Sequence, residues 1–275
     1  MDYSQYSLAK TGYLKEDFRL FHINDRTDRE FEWHYHDFHK IIVFVSGKVT
    51  YHIEGKAYQL KPQDILLVSQ GAIHKPEIDP SIPYERYIFW IRDDLSSPEL
   101  NTCFQKANDR SFNLIRLDSA LQEKLKDLLP EIEHSLRDTQ FGDSILSKAL
   151  FAQFMIYINR IFLKSSTAPD QKSYSSDSQV EQLLKYINRN LSENLSIDHL
   201  AERFFFSKYH MMRKFKKETG YTIHNYIISK RLLHARSLIA QGTPVMKAAM
   251  QSGFQDYTAF VRAYKKQFGT VPTQR

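Results

Sequence analysis

The pattern of hydrophobic and polar positions first predicts short strands. Between residues 18 and 91, apolar runs rich in β-branched and aromatic residues are separated by turn signals such as Ser46-Gly47 and Glu54-Gly55. The runs are IIVFV (41–45), VTYHI (49–53), AYQL (57–60), DILLV (64–68) and YERYIFWI (84–91). Short strands at even spacing are typical of an antiparallel barrel or sandwich. We therefore predict a small all-β barrel at the N-terminal end.

The pattern changes to a helical period from Ser119 onwards. One helical stripe is formed by Leu121, Leu125, Leu128, Leu129, Ile132 and Leu136. A second helix, at about 143–164, is apolar around most of its circumference, which favours packing on several sides. The stripe fits either a seam between two subunits or packing against the barrel. Its polar interruptions argue against the second helix as a membrane span.

A polar segment then separates two domains. Residues 165–178 are rich in Ser and Asp and contain almost no apolar residues, which indicates a linker. Helical patterns with good caps follow at about 179–190, 197–204, 207–218, 222–240, 244–250 and 256–267. We predict three parts: a barrel domain with two helices over 1–164, a linker over 165–178 and an all-α domain over 179–275.

The all-α domain contains an internal repeat. At an offset of 49 residues, FFSKYHMMRKFKKETG (205–220) aligns with FQDYTAFVRAYKKQFG (254–269), with coincident apolar, basic and glycine positions. The alignment matches Phe205 with Phe254, and the potential helix caps Ser207 with Asp256.

A short helix precedes each copy of the repeat. Ala201 in the first and Ala249 in the second are small enough for the next helix to cross closely, and Gly253 suits a turn position with positive φ. A helix, a short turn and a second helix with basic outward positions is a helix-turn-helix, whose second helix enters the major groove. The sequence therefore predicts two tandem DNA-binding units joined by a linker helix at about 222–240.

The candidate DNA contacts are the side chains that point outward from the second helix of each unit. Met211 with Phe215, and Phe260 with Tyr264, are spaced four apart and point into the core. The predicted outward contacts are Lys208, Tyr209, Met212, Arg213, Lys216, Tyr257, Thr258, Arg262, Lys265 and Lys266. The two arginines at matched positions are the predicted base readers, because a guanidinium bonds guanine O6 and N7 together, whereas the lysines suit phosphates.

The distribution of charge along the chain also favours DNA binding by the all-α domain. Residues 178–275 carry a net charge of +10, whereas residues 1–177 carry −4. A basic domain is the electrostatic footprint of a protein that sits on phosphates, although a solvated basic face produces the same number. Readers of single-stranded RNA need exposed aromatics on sheets, and membrane binding needs a bare apolar helix face; the repeat supplies neither.

At this point the chain resembles a known family. Residues from about 178 to 275, and above all AAMQSGFQDYTAFVRAYKKQFGTVP (248–272), are similar to the DNA-binding domain of AraC/XylS regulators. The resemblance implies a transcription regulator that is not an enzyme. It also implies as partners double-stranded promoter DNA, RNA polymerase, a small-molecule effector and a second copy of the chain, since helices beside the barrel commonly pair subunits in this family.

The N-terminal region resembles a cupin barrel through HYHDFHKIIVFVSGKVTYHIEGKAYQLKPQDILLVSQGAIH (34–74). The resemblance implies a pocket for a small polar effector, a class that includes sugars. The predicted effector residues are His34, His36, Tyr51, His74 and Trp90.

The same histidines raise an alternative, a metal-dependent cupin sensor or enzyme. His34, His36 and His74 have the spacing of a metal-binding cupin, but Lys40 stands where the fourth ligand, a glutamate, is expected. Because an ammonium repels a cation, we predict no metal and no cofactor. Stoichiometric iron or manganese in purified protein would favour the alternative.

The cysteine count and the N-terminal sequence indicate the cellular location. Cys103 is the single cysteine, so no disulfide forms within the chain, and residues 1–18 lack the basic start and apolar run of a signal peptide. We expect a cytoplasmic protein.

Overall fold

The computed structural model describes residues 14, 16–26, 30–93, 95–116, 119–137, 139–164 and 174–273. These residues form an N-terminal β-barrel with helices on one side, followed by an all-helical unit. The predicted two-domain fold class is confirmed. Most of the predicted linker, residues 165–173, lies outside the described residues.

The barrel consists of two antiparallel sheets. Its strands are β1 (Phe18–Asp25), β2 (His39–Ser46), β3 (Val49–Ile53), β4 (Lys56–Gln59), β5 (Ile65–Val68), β6 (His74–Ile78), β7 (Tyr84–Ile91), β8 (Leu114–Ile115) and β9 (Ser175–Ser176). One sheet has the order β1-β7-β2-β5-β8 and the other β6-β3-β4-β9. The five predicted runs correspond to β2–β5 and β7. The pattern did not single out β6, because its sequence HKPEI contains a proline and little apolar alternation.

Strand β2 is buried on both faces, which explains why its sequence is an unbroken apolar run. Ile42 and Phe44 point into the barrel and pack with Tyr51 of β3. Ile41 and Val43 point to the other side and pack against helices. The barrel interior is therefore lined by alternate residues of each strand.

Three helices cover the outer face of the five-stranded sheet: α1 (Thr102–Arg110), α2 (Ser119–Ser135) and α3 (Asp143–Lys164). The sequence analysis did not predict α1. The leucine stripe of α2 is buried against α3 and the sheet, with Leu125, Leu128, Leu129 and Ile132 in one apolar cluster. Of the two expectations for the stripe, packing against the barrel is correct and a subunit seam is wrong. Leu136 lies beyond the end of α2 and is exposed.

Helix α3 is long and apolar enough to cross a membrane by length and composition. However, Phe151, Phe154 and Ile158 lie in the same buried cluster as the barrel strands. One side of α3 therefore packs as a core helix of the barrel domain.

The end of the predicted linker belongs to the barrel sheet. Ser175 and Ser176 form β9, which pairs with Ala57 and Lys56 of β4. Asp177 then accepts hydrogen bonds from the backbone N–H groups of Gln179 and Val180 and caps the next helix. A short strand of two serines carries no periodic signal, so sequence alone did not predict the pairing.

The C-terminal unit contains six helices within the described residues: α4 (Ser178–Arg189), α5 (Ile197–Arg203), α6 (Lys208–Thr219), α7 (Ile223–Ala240), α8 (Val245–Gln251) and α9 (Tyr257–Phe268). Their ends fall within one residue of the predicted ones, because five of the six begin at a Ser, Thr or Asp whose side chain accepts from backbone N–H groups. Two apolar clusters divide the unit, one around Phe215 and one around Phe260.

Ionic contacts join the barrel to the helical unit. Glu54, between β3 and β4, accepts from the Tyr226 hydroxyl and from Lys230 Nζ at 2.8 Å, both on α7. Asp37, just before β2, pairs with Arg236 Nη1 at 2.9 Å, also on α7. The linker helix therefore contacts both helix-turn-helix units and the barrel.

Candidate DNA-binding surface and effector site

The first helix-turn-helix consists of α5 and α6. Ser207 caps α6 by accepting from the backbone N–H of His210, and Met211 and Phe215 are buried as predicted. The five predicted contacts of this unit, Lys208, Tyr209, Met212, Arg213 and Lys216, are all exposed. The guanidinium of Arg213 lies 6.0 Å from the ring centroid of Tyr209, so the two side chains share one patch of the helix face.

The second helix-turn-helix consists of α8 and α9. Asp256 caps α9 by accepting from Thr258 N–H at 2.7 Å and Ala259 N–H at 3.1 Å, while Phe260 and Tyr264 are buried. The predicted contacts Tyr257, Thr258, Arg262, Lys265 and Lys266 are all exposed. Arg262 therefore occupies the same kind of position on α9 as Arg213 on α6.

The turns of the two units differ by one residue, which corrects the alignment of Phe205 with Phe254. Phe205 has φ of +55° and is 96% exposed, whereas Phe254 is 9% exposed. The residue of the second turn with positive φ is Gly253, at +90°.

Backbone hydrogen bonds give the same corrected register. Phe206 N–H donates to Ala201 O at 2.9 Å, and Phe254 N–H donates to Ala249 O at 3.1 Å. Phe206 is thus the counterpart of Phe254, and Phe205 is the counterpart of Gly253. Gln255 is an extra residue before the second cap, and an ungapped alignment could not place it.

Not every basic side chain of α6 is free to meet a phosphate. Lys214 Nζ pairs with Asp177 at 2.8 Å and donates to Gln179 Oε1 at 2.7 Å, so it holds α6 against the start of α4. Lys208 pairs with Asp198 of α5. A contact from Lys208 to DNA must compete with this exposed ion pair, which is weak.

The linker helix α7 sets the separation of the two units. Its 18 residues span about 27 Å at 1.5 Å per residue. Successive major grooves on one face of DNA lie about 34 Å apart, a spacing close to the length of α7. Tyr226, Ile227, Leu232, Ala235 and Ile239 are buried, and Leu238 is half-buried.

The barrel brings the predicted effector residues into one cluster. One ring nitrogen from each of His34, His36 and His74 lies within 4.8 Å of the other two. His34 and His74 also form an isolated antiparallel bridge, with N–H to O distances of 3.1 and 2.9 Å. Tyr51 stacks 6.0 Å from His74, and Trp90 lies 6.2 Å from His36, measured between ring centroids.

Backbone carbonyls fix the tautomers of two of these rings. His34 Nδ1 lies 2.8 Å from Glu32 O, and His74 Nδ1 lies 2.9 Å from Ala72 O. Because a carbonyl oxygen only accepts, both Nδ1 atoms carry the proton, which leaves Nε2 of each neutral ring with a lone pair.

Two histidines of the cluster, His36 and His74, are neutral. Burial lowers the pKa of His36 and of His74 well below the usual value, and the nearby Lys40 charge and neighbouring imidazoles lower it further. Within the described residues, His36 Nδ1 and His74 Nε2 are buried without a hydrogen-bond partner.

Lys40 is the charged member of this cluster. It lies on β2 opposite Trp90 of β7 and Val68 of β5, on the face of the strand that lines the barrel. Burial lowers its pKa to about 8, with the positive charge of Arg86 as the second cause. Lys40 therefore remains mostly protonated at neutral pH.

The donor set fits a metal ion poorly. Three imidazoles are suitable ligands for zinc, iron or manganese. The charged group that acts on His36 and His74, however, is the Lys40 ammonium and not a carboxylate. Lys40 adds a positive charge where a metal site requires a negative or neutral ligand. The side chains instead offer one cation and unpaired imidazole nitrogens to a polar molecule.

Comparisons with known proteins give matches for both the barrel domain and the helical domain. Residues 19–155 match the family model of an AraC-like ligand binding domain, and residues 200–275 match a helix-turn-helix domain. The chain is 23% identical over 246 residues to the HTH-type transcriptional activator RhaR of Mannheimia succiniciproducens, covering 89% of this chain and 86% of that protein. It is 21% identical to the HTH-type transcriptional activator RhaS of Escherichia coli strain SMS-3-5 / SECEC, covering 88% and 86%.

Among solved structures, ToxT from Vibrio cholerae O395 aligns over 94% of this chain and 96% of its own, with 14% identity and a TM-score of 0.36. The two family models and the curated relatives show that the chain belongs to the AraC family of transcription regulators, with a ligand-binding barrel followed by a DNA-binding helix-turn-helix domain.

Proposed function

We propose that this regulator contacts promoter DNA through the exposed faces of both α6 and α9, and that a small polar effector at the histidine cluster controls it. The observation that carries the DNA surface is that the ten predicted contacts are all exposed, on two capped helices with equivalent buried anchors. One chain then addresses two neighbouring major grooves.

Arg213→Ala and Arg262→Ala are each expected to weaken binding to the operator by about 1–3 kcal/mol and to relax sequence preference, because each removes a bidentate base contact. Lys265→Ala is expected to act differently, lowering the slope of affinity against salt by about one phosphate contact. Fluorescence anisotropy with operator and scrambled duplexes at several salt concentrations measures both effects.

Arg137→Ala is the matched control, since Arg137 is an exposed arginine on the barrel domain. It should change neither affinity nor preference. Unchanged sequence preference in both the Arg213 and the Arg262 variants would refute the base-reading assignment.

We infer that the barrel binds an effector and catalyses no reaction. The curated relatives named above are transcriptional activators, which supports regulation. Lys40, at the position of the expected carboxylate ligand, argues against the metal-dependent alternative. Because promoter DNA and RNA polymerase are the natural partners of an activator, we place the protein in the cytoplasm.

A homodimer is also proposed, but through α3 in place of the buried α2 stripe. Ile145, Ile156 and Leu163 are 74%, 39% and 42% exposed and follow one another along α3. Sedimentation of the wild type is expected to give a dimer, and Ile145→Glu with Ile156→Glu a monomer, because two charges would be buried at the seam. Ile82→Glu, which changes an exposed barrel isoleucine, should remain dimeric; a monomeric wild type would contradict the proposal.

A further inference from the structure

The inside of the barrel holds more positive than negative charge. Lys40 and Arg86 both lie on its inner face, on neighbouring strands β2 and β7. Arg86 pairs with Asp25 and donates to Tyr84 O at 2.8 Å. Within the described residues, no carboxylate pairs with Lys40, and the Nε atom of Arg86 has no hydrogen-bond partner.

A buried ammonium without a counter-charge is costly. Lys40 is only 9% exposed, and an ion that loses its water shell needs an opposite charge or several hydrogen bonds in return. The histidines cannot supply that counter-charge, because an imidazole side chain is either neutral or positively charged. Within the described residues no carboxylate pairs with Lys40, so this position suits an anion from outside the chain.

The imidazoles require a hydrogen-bond donor and not an anion. His74 donates through Nδ1 to Ala72 O, so its unpartnered Nε2 accepts a hydrogen bond. A carboxylate cannot donate to that atom, whereas a hydroxyl can. The cluster therefore presents a cation for an anionic group and, beside it, an acceptor for a hydroxyl.

We propose that the effector is a small hydroxy acid, such as a sugar acid, whose carboxylate pairs with Lys40 and whose hydroxyl donates to Nε2 of His74. The inference rests on the proposed effector site and names its ligand class. Trp90, opposite Lys40 in the strand register and near the ring of His36, offers an aromatic surface to the carbon skeleton.

A neutral sugar and a metal ion fit the same groups less well. A neutral sugar would satisfy the imidazole but leave the Lys40 ammonium buried without a counter-charge. A divalent cation would meet three imidazoles together with the repulsion of that ammonium. A hydroxy acid satisfies both groups, since its carboxylate pairs with the Lys40 ammonium and its hydroxyl donates to the His74 imidazole.

The test is calorimetric titration of the full chain with four acids, each beside its uncharged counterpart: D-galacturonate and D-galactose, D-glucuronate and D-glucose, D-gluconate and D-glucitol, L-lactate and propane-1,2-diol. At least one acid is expected to bind about tenfold or more tightly than its counterpart. The preference should disappear in Lys40→Met and persist in Lys40→Arg. It should also persist in Lys61→Met, which removes an exposed barrel lysine.

Two results would overturn the inference. One is that no acid binds more tightly than its counterpart, and the other is that the preference survives Lys40→Met. Circular dichroism of each variant separates loss of the ligand from loss of the fold. Retained preference in Lys40→Arg keeps the test valid if Lys40→Met does not fold.

Zinc titration of the same proteins supplies an independent arm. Lys40→Glu is expected to gain stoichiometric Zn²⁺ binding, because it adds the carboxylate that the three imidazoles lack, and to lose the acid. Stoichiometric micromolar binding of Zn²⁺ by the wild type would overturn the inference in favour of a metal site.

Operator binding with and without each compound separates this inference from the proposed function. A neutral sugar that binds and alters operator affinity removes the hydroxy-acid inference but retains effector control. A hydroxy acid that binds at Lys40 without altering operator affinity removes effector control but retains the ligand class.

Discussion

Gly253→Ala is expected to destabilise the helical unit by about 2–5 kcal/mol and to weaken operator binding in parallel. Gly253 has φ of +90° in the turn between α8 and α9, a conformation that costs an alanine energy by itself. A methyl group there would also overlap the carbonyl oxygen of Leu191 and lie 2.7 Å from Arg231 Nε. These two groups are hydrogen-bonded to each other at 2.8 Å, so neither withdraws without losing a partner.

Gly242→Ala isolates the backbone component of this effect. Gly242 has φ of +88°, but a methyl group there would meet no atom within 4 Å. Its expected cost is about 1–2 kcal/mol, with little change in operator affinity. Urea unfolding followed by far-UV circular dichroism compares the two variants. Equal losses would show that the turn of the second helix-turn-helix is not sterically constrained.

Glu54→Ala is expected to lower the free energy of unfolding by about 2–4 kcal/mol, because one carboxylate serves both domains. Besides Tyr226 and Lys230 on α7, Glu54 accepts from the Ile73 N–H at 2.9 Å within the barrel. The alanine would leave the ammonium of Lys230, which is 15% exposed, beside a hydroxyl and no counter-charge. Trp33 packs on the first helix-turn-helix, so tryptophan fluorescence during urea unfolding reports on this interface.

A double-mutant cycle isolates the ion pair between the domains. The combined variant Glu54→Ala with Lys230→Met should lose less than the sum of the two single losses, by about 1–3 kcal/mol. Glu77→Ala is the control, since the Glu77 carboxylate is 69% exposed beside His52 and should contribute little. Additive losses at Glu54 and Lys230 would mean that the pair does not hold the barrel against α7.

The helical unit was the more predictable half, for a local reason. Its helices begin at caps such as Ser207 and Asp256, whose side chains bond to the next backbone N–H groups, so a few adjacent residues determine each start. The mistake lay in the turn, where Phe205 takes the conformation that Gly253 takes in the second unit. A phenylalanine at positive φ is uncommon, and composition gave no reason to expect it.

The sequence predicted which histidines form the cluster, but not where their protons lie or how the pKa of Lys40 is shifted. The spacing of His34 and His36, with His74 later in the chain, predicted their approach, and the structure places their ring nitrogens together. The proton positions depend on the carbonyls of Glu32 and Ala72, and the pKa of Lys40 depends on the depth of its burial. Both are consequences of packing.

What the sequence determined by itself is local or additive: the strand and helix periods, the caps, the repeat and the net charge of +10 on residues 178–275. Only the tertiary structure decided which apolar stripe became core and which charges meet between the domains. Glu54 and Lys230 are 176 positions apart, and nothing in either neighbourhood indicates the other. The reason is physical, because periodicity and capping depend on residues within a few positions, whereas ion pairing and desolvation depend on how distant segments pack.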